Sequence, residues 1–285
     1  MSQDEVPPAL QGVFFLAGPT AVGKTDVALA VAEACGGEIV GADAFQVYRG
    51  LDLLSAKPSP EALARVPHHL VGTVPLGEPF DVGRYREAAL AAIAAIRARG
   101  RLPIVAGATG LYFRALTRGL ADLPPASPEL RAELNALALP EALARLEALD
   151  PEAAVRVDRR NPRRVVRALE ICLATGKPFS SFRQEWEHLP AFHGVLLERD
   201  AGELAERIGQ RTEAMFAAGV VEEVRAAEAA GDIGPTARQM IGWREITALL
   251  RGECARAEAV AAIQQATRRY AKRQRTWFRR EPMFT

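Results

Sequence analysis

Residues 18–25 read Gly18-Pro19-Thr20-Ala21-Val22-Gly23-Lys24-Thr25, which fits the pattern G-x-x-x-x-G-K-[ST]. In that pattern the glycines let the backbone wrap until its N–H groups face an anion. The helix that follows turns its positive N-terminal end on the same point. Lys24 adds a point charge, and the Thr25 hydroxyl is placed to ligate Mg²⁺. Val13-Phe14-Phe15-Leu16-Ala17 comes before it, a short apolar run that reads as a buried strand; after it Val27, Leu29, Ala30 and Ala34 fall at helical spacing. Strand, loop and helix in that order make the stretch a polyphosphate cradle, not an ordinary glycine turn. A cradle specifies polyphosphate and nothing of the reaction, so a nucleotide kinase, an ATPase and a diphosphate-ester transferase all fit it.

Three later apolar runs read as buried strands: Glu38 to Ala42, Leu102 to Gly107 and Val195 to Leu197. With helices between them, such as Arg84 to Arg99, they predict a phosphate-loop α/β core, a parallel sheet flanked by helices. Ligands of such sheets sit at the carboxyl ends of the strands, which brings Gly18, Asp43 and Thr109 to one crevice. The texture changes near Leu120. Leu123-Pro124-Pro125-Ala126-Ser127-Pro128 breaks the chain, and Ala/Leu/Arg/Glu-rich stretches then run to Thr175-Gly176, where glycine closes a helix. This predicts an all-helical insertion over 120–190 in a core made of 1–119 and 191–285. Helical patterns resume over 201–230 and 254–280.

The chain has 285 residues, 49% of them hydrophobic, enough to fill a sizeable core. Its 3 cysteines, Cys35, Cys172 and Cys254, are scattered and predict buried thiols with no disulfide or zinc framework. No apolar run approaches the roughly 20 residues of a membrane span, and no cleavage pattern follows the acidic N-terminus, so a cytoplasmic location is expected. A net charge of +1 hides an uneven distribution: Arg268, Arg269, Lys272, Arg273, Arg275, Arg279 and Arg280 gather at the end against the single acid Glu281.

Asp43-Ala44-Phe45-Gln46-Val47-Tyr48 closes the second strand, where a carboxylate can be a metal ligand, a general base or a loop cap. In Gly107-Ala108-Thr109-Gly110-Leu111-Tyr112-Phe113, small residues let backbone approach the phosphate site and present one hydroxyl. Together with A-K-P (56–58), P-H-H-L (67–70), R-R-V-V-R-A-L-E (163–170), T-G-K-P (175–178), A-R-Q-M-I-G-W (237–243) and T-R-R-Y-A-K-R-Q-R-T-W-F-R (267–279), these segments stand in one order over nearly the whole chain. In that order the chain resembles the tRNA dimethylallyltransferase family. It departs from the family pattern at Ala44, where a serine is usual, at Ala108, where a glycine is usual, and at Trp243, where a tyrosine is usual.

The resemblance implies that the loop Gly18 to Thr25 binds dimethylallyl diphosphate, with Mg²⁺ on Thr25, and that N6 of the adenosine just 3′ of a tRNA anticodon is alkylated. An exocyclic amine is a poor nucleophile, so a base should take its proton, and Asp43 is the candidate. Charge growing on the leaving diphosphate is the larger task; loop amides, Lys24, Thr109 and, by resemblance, Arg211 are the groups for it, with Arg207 one helical turn earlier. The base must leave its stack before it can react. By resemblance Asp43-Ala44-Phe45-Gln46 meets it, while Arg163, Arg164, Val165, Val166 and Arg167 of the insertion, with Arg131, and Arg238 with Gln239 contact the tRNA anticodon stem-loop. At 100° per residue Tyr270, Gln274, Trp277 and Phe278 share one side of the last helix and Arg268, Lys272, Arg275 and Arg279 the other, an apolar seat with a basic stripe suited to phosphate backbone. Nothing demands more than a monomer. The rivals are a phosphate-loop kinase for a small metabolite, with Asp43 as its base, and a nucleotide-dependent RNA-binding switch.

Overall fold

A computed structural model of the chain describes residues 6–120, 123, 127–182 and 192–284. The Pro124-Pro125 break and the expected end of the insertion, 183–190, lie outside them. The chain divides into two compact units, Met1–Arg118 with His188–Thr285, and Gly119–Glu187.

The first unit is built on five parallel strands: β1 (Phe14–Ala17), β2 (Gly37–Ala42), β3 (His68–His69), β4 (Leu102–Gly107) and β5 (Gly194–Leu196), in the order β3-β2-β4-β1-β5. Successive side chains go to opposite faces. Phe15, Val40, Ala42 and Val105 enter one core with Tyr85, Ile93, Phe113 and Phe278, while Leu16, Ile39 and Ile104 enter another with Ala28, Leu29 and Val66. Both faces are therefore buried, which is why β1, β2 and β4 read as continuous apolar runs.

The helices of this unit are α1 (Lys24–Cys35), α2 (Pro60–Arg65), α3 (Val82–Ala98) and α4 (Gly110–Arg118), with four more noted below. The second unit holds α5 (Pro128–Ala136), α6 (Leu139–Leu149), α7 (Pro151–Arg156) and α8 (Pro162–Thr175). Each of these four has proline in its first turn, where the missing N–H costs nothing. They close on Leu134, Leu146, Ala154, Val165 and Leu169. The chain then returns to the first unit for α9 (Ala201–Ala217), α10 (Val220–Ala230), α11 (Trp243–Leu250) and α12 (Arg256–Phe278). The helical pattern over 201–230 is two helices because Gly219, at φ 98°, breaks it. Among the described residues no helix is long and apolar enough to cross a membrane.

Two expectations are corrected and one strand is unforeseen. The run expected as buried from Val195 to Leu197 is the edge strand Gly194–Leu196, with Val195 exposed. Cys35, expected buried, is exposed, because it ends α1 where the helix leaves the sheet; Cys172 is buried and Cys254 intermediate. The strand His68–His69 has no apolar run to announce it. It pairs with Ile39 and Val40 at the sheet edge, and His69 Nε2 lies 2.7 Å from the buried Glu38 carboxylate.

Candidate active site

The ends of β1, β2 and β4 deliver three loops to one place. Gly107 ends β4 against β2 so closely that an added Cβ would lie 2.1 Å from the Ala42 carbonyl oxygen, which leaves glycine as the residue that fits. That approach lets Thr109 N–H donate to Ala42 O at 3.1 Å. Thr109 Oγ1 in turn accepts from Ala44 N–H at 3.0 Å. Asp43 Oδ1 accepts from Phe45 N–H at 2.9 Å and from Gln46 N–H at 3.3 Å, so the carboxylate caps its own turn as well as facing the crevice.

The phosphate loop is braced from several sides. Ala21 sits at φ 65°, a left-handed conformation that costs a non-glycine residue roughly 1 kcal/mol. Arg207 Nε donates to Ala21 O at 2.8 Å and Arg199 Nε to Val22 O at 2.8 Å. Val22 is buried with Leu204, Ile208 and Ala271. Lys24 Nζ donates to Pro19 O at 2.7 Å. Burial pulls the Lys24 pKa down to about 8, with Asp43 opposing the drop and Arg211 adding to it. Arg211 is exposed overall, yet desolvation lowers its pKa, again with Asp43 opposing.

Two clefts open here. One is lined by Thr20, Ala21, Gly23, Lys24 and Thr25 of the loop and by Lys57, His68, Arg207 and Arg211. The other has apolar walls of Leu54, Met215, Met240, Ile241 and Ile263, with Phe45 and Tyr270. Thr20, Asp43, Ser55, Ala56 and Arg211 line both. A cationic cleft and an apolar one thus meet at a carboxylate. Burial, with Asp43 second, pushes the Tyr270 hydroxyl up to about 12, against hydrogen bonds to Gln274 and Thr109.

Among the described residues no three or more His, Cys, Asp or Glu side chains gather to hold a metal. Mg²⁺ bound with phosphates keeps several waters and takes one or two protein oxygens, and the Thr25 hydroxyl on the cationic cleft fits as one such oxygen.

The expected site residues divide between cleft walls, bracing contacts and surface, with Gln46 on the wall of the cationic cleft. Thr109 lines neither cleft, because the close approach of β4 to β2 turns its hydroxyl to the Ala44 amide. Gly18, Pro19 and Val22 are also off the cleft walls; they shape the loop. Gln46 Nε2 donates to Ala56 O at 2.8 Å and to Ser55 O at 3.4 Å, which holds the loop opposite the cradle. In the helical unit Val165 and Val166 are core residues, so their side chains present no surface to RNA. Arg131 Nε and Arg167 donate to the buried Glu170 carboxylate at 2.7 and 2.5 Å, while Arg163 and Arg164 lie on the exposed face of α8. Arg238 and Gln239 are exposed, Arg238 bonding to Ile233 O and Gln239 to Pro235 O. On α12, Arg268 and Lys272 are exposed, but Arg275 is half-buried with its Nε enclosed and unpaired. Phe278 and Trp277 pack inward, and Gln274 is buried with hydrogen bonds to the phosphate loop and to the loop after β4, contacts that an apolar-seat reading of this face misses.

Residues 46–281 match the family model of IPP transferase, and residues 11–71 that of isopentenyl transferase. The chain is 48% identical over 273 residues to tRNA dimethylallyltransferase 1 of Citrifermentans bemidjiense, covering 94% of this chain and 89% of that one. It is 46% identical to the tRNA dimethylallyltransferase of Geobacter sulfurreducens, covering 93% and 88%. Among solved structures it is similar to the full-length tRNA isopentenylpyrophosphate transferase of Bacillus halodurans, with a TM-score of 0.69 at 34% identity over 96% of this chain and 88% of that one. A eukaryotic dimethylallyltransferase acting on tRNA is similar at a TM-score of 0.79 and 26% identity, over 93% and 69%. A phosphate loop whose cleft shares a carboxylate with an apolar pocket, and likeness of this extent in sequence and structure, give one conclusion: the chain belongs to the IPP transferase family, that of the tRNA dimethylallyltransferases.

Proposed function

We propose that the chain transfers the dimethylallyl group of dimethylallyl diphosphate to N6 of the adenosine just 3′ of the anticodon in tRNA. The observation that carries this reading is the meeting of the two clefts at Asp43. A diphosphate held by the loop can send its apolar allyl group across that junction, where an extruded adenine meets it. The N6–C bond forms as the allylic C–O bond breaks, the electron pair leaves on the bridging oxygen of diphosphate, and the N6 proton goes to Asp43. Lys24, Arg211 and the free amides of the loop face the charge that grows on the leaving group, the largest stabilisation the reaction asks for. The Thr25 hydroxyl would hold Mg²⁺, which would supply further neutralisation of the diphosphate when bound. Thr109 acts at one remove, holding the Ala44 amide and so the turn that carries Asp43.

Arg163 and Arg164 of the helical unit, and Arg268 and Lys272 of α12, are the surface cations assigned to the anticodon stem-loop. A monomer working in the cytoplasm belongs with this reading. A kinase for a small metabolite leaves the apolar cleft and these cations without a task. The test is to incubate the protein with unmodified tRNA, dimethylallyl diphosphate and Mg²⁺, digest, and search by mass spectrometry for prenylated adenosine. Brisk transfer or hydrolysis of the terminal phosphate of ATP, with the isoprenoid diphosphate ignored, would overturn it.

A further inference from the structure

Gln274 sits near the end of α12, 6% exposed, in the midst of the site and outside every role assigned above. Its Oε1 accepts from the Thr20 backbone N–H at 2.9 Å. Its Nε2 donates to Ala108 O at 2.9 Å. The Tyr270 hydroxyl, one turn earlier on the same helix, lies beside both Gln274 and Thr109. One side-chain amide therefore ties the phosphate loop to the loop after β4.

The two loops need different things from it. An amide N–H of a phosphate loop ordinarily faces the anion. Here the Thr20 N–H is engaged by Gln274, which fixes the rotation of the peptide before Thr20, a residue that lines both clefts. The Ala108 carbonyl precedes Thr109, whose hydroxyl holds the Ala44 amide beside Asp43. Base-bearing turn and leaving-group cradle are thus referenced to one planar group that both donates and accepts. No apolar side chain of similar size can do this, and a carboxylate can do only half of it.

We infer that Gln274 is a positioning residue for prenyl transfer, setting the phosphate loop at Thr20 and the Ala108-Thr109 loop in register with each other. The inference rests on the proposed reaction. Its effect is on alignment at the transition state, so turnover should suffer more than donor binding.

Gln274→Leu, Gln274→Glu and the unaltered protein are to be compared in single-turnover prenyl transfer to tRNA, with donor affinity measured separately by calorimetry. Gln274→Leu should lower the rate about tenfold or more while donor affinity changes less than about threefold. Gln274→Glu carries the sharper signature. Ionised, it still accepts from Thr20 N–H but repels Ala108 O; protonated, it donates to Ala108 O and accepts from Thr20 at once, as the amide does. Burial raises a carboxyl's pKa, so its rate relative to the unaltered protein at each pH should climb towards unity as the pH falls from about 8 to 5. Tyr270 stays protonated throughout that range.

Equal rates for Gln274→Leu and the unaltered protein would overturn the inference, as would a Gln274→Glu ratio that does not change with pH. A rate and an affinity that fall together would assign Gln274 to donor binding and overturn it too. If Gln274→Leu does not fold, the Gln274→Glu ratio decides alone. Should the unaltered protein transfer no prenyl group, it is the proposed function that fails.

Discussion

Arginine means different things at the phosphate loop and in the helical unit. Around the phosphate loop, Arg207 Nε and Arg199 Nε hold loop carbonyls, Arg199 also pairing with Glu203, and Arg211 is left facing two clefts. In the helical unit two arginines of the expected RNA face, Arg131 and Arg167, are engaged by Glu170, and outside that face Arg159 is engaged by Glu147 and Arg156 by Glu152. A charge aimed at a cavity is available to a ligand, whereas a charge engaged by a neighbouring carboxylate mainly orders its own helices. Binding and chemistry should therefore respond to different substitutions.

The contrast breaks most visibly at the carboxylate between the clefts. Asp43→Asn keeps the turn-capping oxygen but removes the base, and turnover should fall on the order of 10² to 10⁴-fold with both substrates still bound. Near-normal single-turnover rates would remove Asp43 from the chemistry. In the helical unit Glu170→Ala should cost about 2 kcal/mol of stability, below the full value for a buried ion pair because both arginines reach solvent. Urea titration would show it, and donor affinity, read in parallel, should not move.

A smaller effect is expected from Arg163→Gln with Arg164→Gln: tRNA affinity falling about tenfold, with the salt slope reduced by roughly one per lost phosphate contact. Donor calorimetry should be unchanged; a loss there would undo the assignment of this face to RNA. The smallest effect is in pH. Burial opposes ionisation of Glu170, but its hydrogen bonds with Arg131 and Arg167 prevail and hold its pKa below the ordinary carboxylate range. Its contribution is thus complete above the unfolded value and is lost as pH falls through the lower folded one. The difference in melting temperature between the unaltered protein and Glu170→Ala should shrink on acidification below pH about 4.5.

The sheet was legible because strands buried on both faces must be largely apolar, and β1, β4 and the 39–42 part of β2 are. β3 was not, since His68 and His69 join the edge through backbone bonds that place no demand on side-chain type. The cradle could be read from Gly18 to Thr25, as its function needs those residues in sequence. Gln274 could be placed on the correct face of α12 but not given its partners, because the loops it joins lie 166 and 254 residues away in sequence and only the fold brings them there. The same limit applies to Arg131 and Arg167. Their spacing shows charge, and nothing local shows that Glu170 of α8 neutralises both.

Strand order has a consequence for how the protein is made. β1 is synthesised first but lies between β4 and β5, and its partners on the β5 side do not exist until residue 196 has been added. At typical elongation rates that is on the order of ten to forty seconds after β1 leaves the ribosome. Throughout that interval a nascent chain carries an apolar strand with an unpaired edge, the kind of surface that invites association with other chains. That open edge at Phe14–Ala17 follows from placing the cradle strand in the interior of the sheet.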